Sequence, residues 1–146
     1  MMNDFNSTHR NKIIPDSGYR TIERQERLLK YYYDRDGDKA FTYVAHPRAS
    51  EHHTGLAIDI ALIVNGVYTD DITGQEQEIK DLITNCYKYG FILRYPKGKE
   101  EITGYTYEPW HYRFVGLDLA KKIHESGMTL EEIKQIKEYN KRTRNN

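Results

Sequence analysis

Apolar and polar positions follow two rhythms along this chain, and each predicts an element. From Ala57 to Val64 the rhythm has a period of two: Ile58, Ile60, Leu62 and Val64 fall on one face of a strand, Ala57, Asp59 and Ala61 on the other. Asn65-Gly66 follows, a strong hairpin signal, and Val67-Tyr68 opens a return strand. A carboxylate between two alanines is a carboxylate with open space around it. Phe91 to Arg94 and Trp110 to Val115 read as further strands, and Ile13 to Tyr19, with its Pro and Gly, as an extended stretch ending in a turn.

Helical rhythm starts near Thr21, where Ile22, Leu28, Leu29 and Tyr32 form a stripe. Gln25 lies on the same face, either as an exposed edge of the stripe or as a polar group aimed into a pocket. Asp34 to Asp38 ends this helix, and a loop runs through Ala49. Thr73 and Glu76 form a capping-box pattern ahead of Ile79, Leu82, Ile83 and Cys86, which predicts a helix to about Tyr89 with Gly90 beyond it. Two helices close the chain, Leu117 to Ser126 stopped by Gly127, and one from Thr129, where Thr129 and Glu132 make a second capping box. Residues 141–146 read as a frayed basic tail, and Met1, Met2 and Phe5 as the last turns of a truncated amphipathic helix. Helices and strands alternate irregularly and the hairpin is antiparallel, so the expected fold class is α+β: a small antiparallel sheet with helices packed around it.

Length narrows this to a single domain, 1–146, since 146 residues support one core. Lys plus Arg and Asp plus Glu both number 22, so no net field draws the chain to nucleic acid or an anionic membrane. The 13 tyrosines and the basic tail would otherwise suggest single-stranded nucleic acid, but the tyrosines are scattered among helices. The single cysteine, Cys86, lies on a buried stripe and is expected to be a core residue. No apolar run approaches the ~20 residues of a membrane span, and the N-terminus has no signal-peptide core. Neither a phosphate-cradling glycine loop nor a G-x-S-x-G elbow occurs.

Candidate chemistry lies elsewhere. His52 and His53 stand just before the strand bearing Asp59, and His111 lies in a strand three residues after a second acid, Glu108. Two imidazoles and a carboxylate meet the needs of a catalytic divalent metal with an open position for water. Adjacent His52 and His53 point different ways, and spacing alone does not choose between them. Residues three apart in a regular strand face opposite sides, but Pro109 breaks regular pairing, and a bend there would let Glu108 act as a base beside the metal.

These residues spell a resemblance. Ser50-Glu51-His52-His53-Thr54-Gly55-Leu56-Ala57-Ile58-Asp59 resembles the S-x-H-x-x-G-x-A-x-D signature of the zinc D-alanyl-D-alanine carboxypeptidases, and Glu108-Pro109-Trp110-His111 resembles their E-x-W-H signature. Ser17-Gly18-Tyr19-Arg20, with Gln25 following, is similar to the S-G-Y-R segment of VanY-type carboxypeptidases, bifunctional VanXY peptidases and related L,D-carboxypeptidases. The three motifs span about 13 to 116.

The resemblance implies that His52, Asp59 and His111 hold one Zn2+ ion, that Glu108 is the catalytic base, and that His53 is a variable position. It further implies that Arg20 faces the scissile carbonyl and that Ser50 and Gln25 help hold the peptide end. Trp110 is expected beside His111 or in the core, and Arg113 in a salt bridge or at the substrate carboxylate. The substrate implied is a peptidoglycan stem peptide or the D-Ala-D-Ala dipeptide, in cell-wall remodelling or glycopeptide (vancomycin) resistance. An L,D-carboxypeptidase trimming tetrapeptide stems and a non-catalytic wall-binding module are the alternatives. The expected location is the bacterial cytoplasm if the chain is complete, and the cell envelope if it is part of an anchored protein.

Overall fold

The computed structural model describes residues 1–144. Its elements are α1 (Met2–Thr8), β1 (Lys12–Ser17), α2 (Ile22–Asp36), β2 (Ala57–Val64), β3 (Val67–Thr69), α3 (Gln77–Asn85), β4 (Phe91–Leu93), α4 (Glu100–Thr103), β5 (His111–Phe114), α5 (Leu117–Ser126) and α6 (Leu130–Arg144). All strand pairs are antiparallel, in the order β1-β2-β5-β4, with β3 also on β2. This is the expected α+β class.

The sheet is organised by β2. Its residues 59–63 pair with β1 along one edge; Ala57–Asp59 meet β5, and Leu62–Val64 meet β3, along the other. Ile60 and Leu62 are buried in a core shared with Phe5, Ile13, Ile79, Leu82, Cys86 and Tyr112, and Ile58 and Val64 pack at its margin. A second cluster, of Ile92, Ala120, Ile123, Leu130 and Ile133, holds α5 and α6 against β4. α1 joins the first core through Phe5, and Asn6 locks it to β1 by accepting from the Ile13 N–H and donating to the Ile13 carbonyl.

Two local expectations change. At Thr73 the Glu76 carboxylate accepts from the backbone of both Thr73 and Gly74, so it closes a turn and α3 begins only at Gln77. The reciprocal box does form at Thr129: the Thr129 N–H donates to Glu132 at 2.7 Å and the Glu132 N–H to Thr129 Oγ1 at 3.3 Å. Residues 141–144, read as frayed, continue α6, where Lys141 and Arg142 suit the negative end of the helix dipole; Asn145 and Asn146 lie outside the described residues.

Helix α2 is unusual because its stripe residues Ile22, Leu28, Leu29 and Tyr32 are only half-buried, whereas Gln25 is 1% exposed. The helix covers a 3-10 turn at Gly37–Thr42 instead of the sheet, through edge-on contact of Tyr32 with Tyr43 and a tilted contact of Tyr33 with Phe41. Cys86 is buried, and burial pushes its thiol up to about 12. Native protein is therefore expected to resist an aromatic disulfide reagent at pH 8 and to react fully in denaturant; rapid native labelling would contradict this packing.

Candidate active site

Antiparallel register brings distant residues together. Asp59, the third residue of β2, lies opposite His111 on β5 and Ser17 at the end of β1. Just before β2, Ser50 caps a 3-10 turn at Glu51–Thr54 by accepting from the His52 N–H at 3.4 Å. Gly55, in the left-handed region at φ 69°, ends that turn and directs the chain into β2. Beyond Ser17, the Arg20 N–H donates to the His52 carbonyl at 3.2 Å, so all three motifs meet around Asp59.

One Asp59 oxygen lies 3.1 Å from His52 Nε2 and the other 2.9 Å from His111 Nδ1. The two imidazoles stand edge to face with centroids 5.0 Å apart. Metal-ligating atoms of His52, Asp59 and His111 all lie within 4.8 Å of one another, close enough to share an ion. The far nitrogen of His52, Nδ1, lies 2.7 Å from the Gly18 carbonyl. A carbonyl only accepts, so the proton sits on Nδ1 and the Nε2 lone pair faces Asp59. Two imidazoles and one carboxylate, buried and oriented, fit a borderline divalent cation such as zinc.

Glu108 reaches the same place through the anticipated bend. The His111 N–H donates to the Glu108 carbonyl at 3.1 Å, closing a turn over Pro109-Trp110, and the Glu108 carboxylate comes within 3.9 Å of His111 Nδ1. Glu108 is 4% exposed. Burial, with Asp59 adding repulsion, pushes its carboxyl up to about 8 against the pull of His111 and Arg20. Asp59 differs: burial opposes its charge, but the neighbouring imidazoles of His111 and His52 hold it well below the usual carboxylate range.

Arg20 is held from three sides, donating to Gln25 Oε1 at 2.9 Å, to Ser17 Oγ at 3.1 Å and to Asp59 at 3.2 Å. Its Nε is buried without a partner. Gln25 donates in turn to the Ala45 carbonyl at 2.7 Å, so its oxygen and its nitrogen both have partners within the protein. The polar break in the α2 stripe is thus a buried strut linking Arg20 to the loop. His53 turns away from the cluster, with Nδ1 2.6 Å from the Arg20 carbonyl and Nε2 accepting from the Arg48 N–H at 3.2 Å. Trp110 packs against the core; the ring beside His111 is Tyr95, with centroids 5.0 Å apart. Arg113 is in a salt bridge to Glu51, at 3.6 Å.

Glu51, Arg94 and Tyr95 border the site without any signal in the chain pattern. Glu51 stands between two motif residues as an unspecified position, and Arg94 and Tyr95 follow a short strand like any exposed pair. Only the fold turns them inward.

Two buried histidines and a half-buried carboxylate with a second acid at their edge could hold a metal ion of the kind found in hydrolytic sites. Residues 1–117 match the family model described as "VanY: D-alanyl-D-alanine carboxypeptidase", and the chain belongs to that family. It is 43% identical over 129 residues to a D-alanyl-D-alanine carboxypeptidase of Enterococcus faecalis, covering 82% of this chain and 46% of that protein. It is 42% identical over 131 residues to the bifunctional D-Ala-D-Ala dipeptidase and carboxypeptidase VanXYC of Enterococcus gallinarum, covering 79% of this chain and 62% of that one. The chain thus spans less than two thirds of these curated relatives. Among solved structures, the LdcB LD-carboxypeptidase superposes with a TM-score of 0.79 at 43% identity, covering 90% of this chain and 62% of that one. A vancomycin-resistance D,D-pentapeptidase VanY variant in complex with Zn(II) superposes with a TM-score of 0.75 at 38% identity, covering 90% and 75%.

Proposed function

We propose that this domain is a zinc-dependent D,D-carboxypeptidase that hydrolyses the terminal D-Ala-D-Ala amide of peptidoglycan precursor peptides, with one ion held by His52, Asp59 and His111. The observation that carries this reading is the convergence of those three side chains with Glu108, a buried carboxyl 3.9 Å from His111 Nδ1. Zinc bound there supplies a Lewis acid that polarises the scissile carbonyl and acidifies a water.

Glu108 takes the proton of the attacking water and returns it to the departing D-alanine nitrogen. Its place at the edge of the cluster, buried and 3.9 Å from His111 Nδ1, suits both halves of that task. Arg20 donates to the carbonyl oxygen as negative charge develops there, a contribution of about 3 kcal/mol by analogy with other oxyanion donors. Gln25 and Ser50 serve the substrate through Arg20 and His52, whose positions they set. His52, Glu108 and His111 are each no more than 5% exposed, and a dry surrounding strengthens each of these interactions.

An L,D-carboxypeptidase is the second reading, favoured by the 43% identity and 0.79 TM-score to LdcB. D-alanine release from D-Ala-D-Ala, a pentapeptide stem and a tetrapeptide stem, with and without a chelator, separates the readings. Release from the pentapeptide is expected, lost on chelation and restored by zinc. Release confined to the tetrapeptide would install the L,D reading, additional release from the dipeptide would indicate a bifunctional enzyme, and turnover indifferent to chelator would remove zinc from the account. Such trimming would serve cell-wall remodelling or glycopeptide resistance.

A further inference from the structure

Among the described residues, two of the buried polar atoms beside the cluster that lack a hydrogen-bond partner face each other: His111 Nε2 and Glu51 Oε2, 3.7 Å apart. With the Nδ1 lone pair given to an ion shared with Asp59, the ring proton sits on Nε2, which is then a donor, and Oε2 is an acceptor; each is what the other lacks. We propose that Glu51 is a positioning residue for His111, accepting the Nε2 proton so that the Nδ1 lone pair is presented to the metal. The inference rests on the zinc reading above and assigns a role to a residue which that reading leaves unused.

Glu51 is fixed for this task. Its Oε1 accepts from Arg94 Nε at 2.8 Å, and Arg113 NH1 lies 3.6 Å from Oε2. Arg94 donates in turn to Glu131, in the first turn of α6, with both ends of its guanidinium. The same guanidinium stacks over Tyr95 at 4.8 Å from the ring centroid, and Tyr95 packs on the His111 ring. Glu131, Arg94, Glu51 and His111 thus form a chain of charge-assisted contacts from α6 to the metal centre. It begins beyond the residues 1–117 that match the family model.

The two ligand imidazoles are therefore oriented alike by different means. The far nitrogen of His52 meets a backbone carbonyl, which no substitution can remove, whereas that of His111 meets a carboxylate, which also makes the ring a stronger ligand. Losing such a partner typically costs about 10- to 100-fold in metal affinity.

The test uses the full chain. Zinc affinity is measured by competition with a chromogenic chelator, and the cobalt-substituted protein gives a visible spectrum that reports ligand geometry. Glu51→Gln keeps the side-chain shape and an acceptor for Arg94, but places an amide N–H₂ against the ring N–H. It is expected to weaken zinc binding at least tenfold and to alter the cobalt spectrum. Glu131→Gln, two contacts further out, is expected to act in the same direction and less. If Glu51→Gln does not fold, nitrogen-15 shifts of labelled histidine in the zinc-loaded wild type decide the matter, with a protonated Nε2 and a metal-bound Nδ1 expected at His111. Wild-type zinc affinity and cobalt spectrum in Glu51→Gln, or metal on Nε2, would overturn this role and leave the zinc reading standing. Wild type that binds no zinc would overturn both.

Discussion

Glu108→Ala is expected to lower D-alanine release by between about 100- and 10,000-fold while zinc content stays at the wild-type level. The separation follows from the geometry. The carboxylate approaches His111 Nδ1 only to 3.9 Å, whereas Asp59 approaches both imidazoles to about 3 Å, so the cluster closes without Glu108. The turn that places His111 is made by backbone groups, the Glu108 carbonyl accepting from the His111 N–H and the Glu108 N–H donating to the Tyr95 carbonyl, and these survive truncation of the side chain. Because burial opposes the charge on Glu108, removing it takes away an electrostatic penalty of the fold. Zinc analysis by mass spectrometry and a D-alanine release assay on the same preparation check the result. Turnover equal to wild type would eliminate Glu108 as the base and favour a wall-binding module; loss of zinc would make it a ligand.

Asp59→Ala is expected to abolish stoichiometric zinc binding and to destabilise the metal-free protein by about 3–5 kcal/mol, the usual consequence of removing one partner of a buried ion pair. Asp59 touches His52, His111 and Arg20 at once. Arg20 is 8% exposed, and without Asp59 its charge would rest only on the neutral oxygens of Ser17 and Gln25. Burial lowers the affinity of that guanidinium for its proton, and the Asp59 carboxylate works against that loss. Denaturant unfolding with and without zinc is the measurement: wild type should gain stability from the metal and the variant none. A variant that still binds one zinc would exclude Asp59 from the ligand set.

Much of the fold was legible because it is written locally. The alternation of Ile58, Ile60 and Leu62 placed β2 and its buried face, and the Asn65-Gly66 pair placed the hairpin. The Thr73 pattern misled about where α3 begins, because a Glu at that spacing closes a turn as readily as it caps a helix, and only the backbone around Gly74, at φ 82°, decides which. The segment from Gly37 to Gly55 carried no periodicity, so its two 3-10 turns could not be anticipated.

Taken alone, the chain of residues determined the chemistry on offer: two imidazoles, a carboxylate between alanines, and a second acid followed by proline, within motifs that a family shares. The tertiary structure decided how these groups are used. It turned His53 away to the Arg20 carbonyl, gave Gln25 to Arg20 and Tyr95 to His111, and set Glu51 against the far nitrogen of that ring. The reason is physical. Periodicity and turn chemistry act over a few neighbouring residues, whereas the meeting of Asp59 with His111 depends on the β2–β5 register across 52 positions. Whether an acid such as Glu51 becomes a solvated surface charge or a buried acceptor depends on which cations the completed fold places beside it.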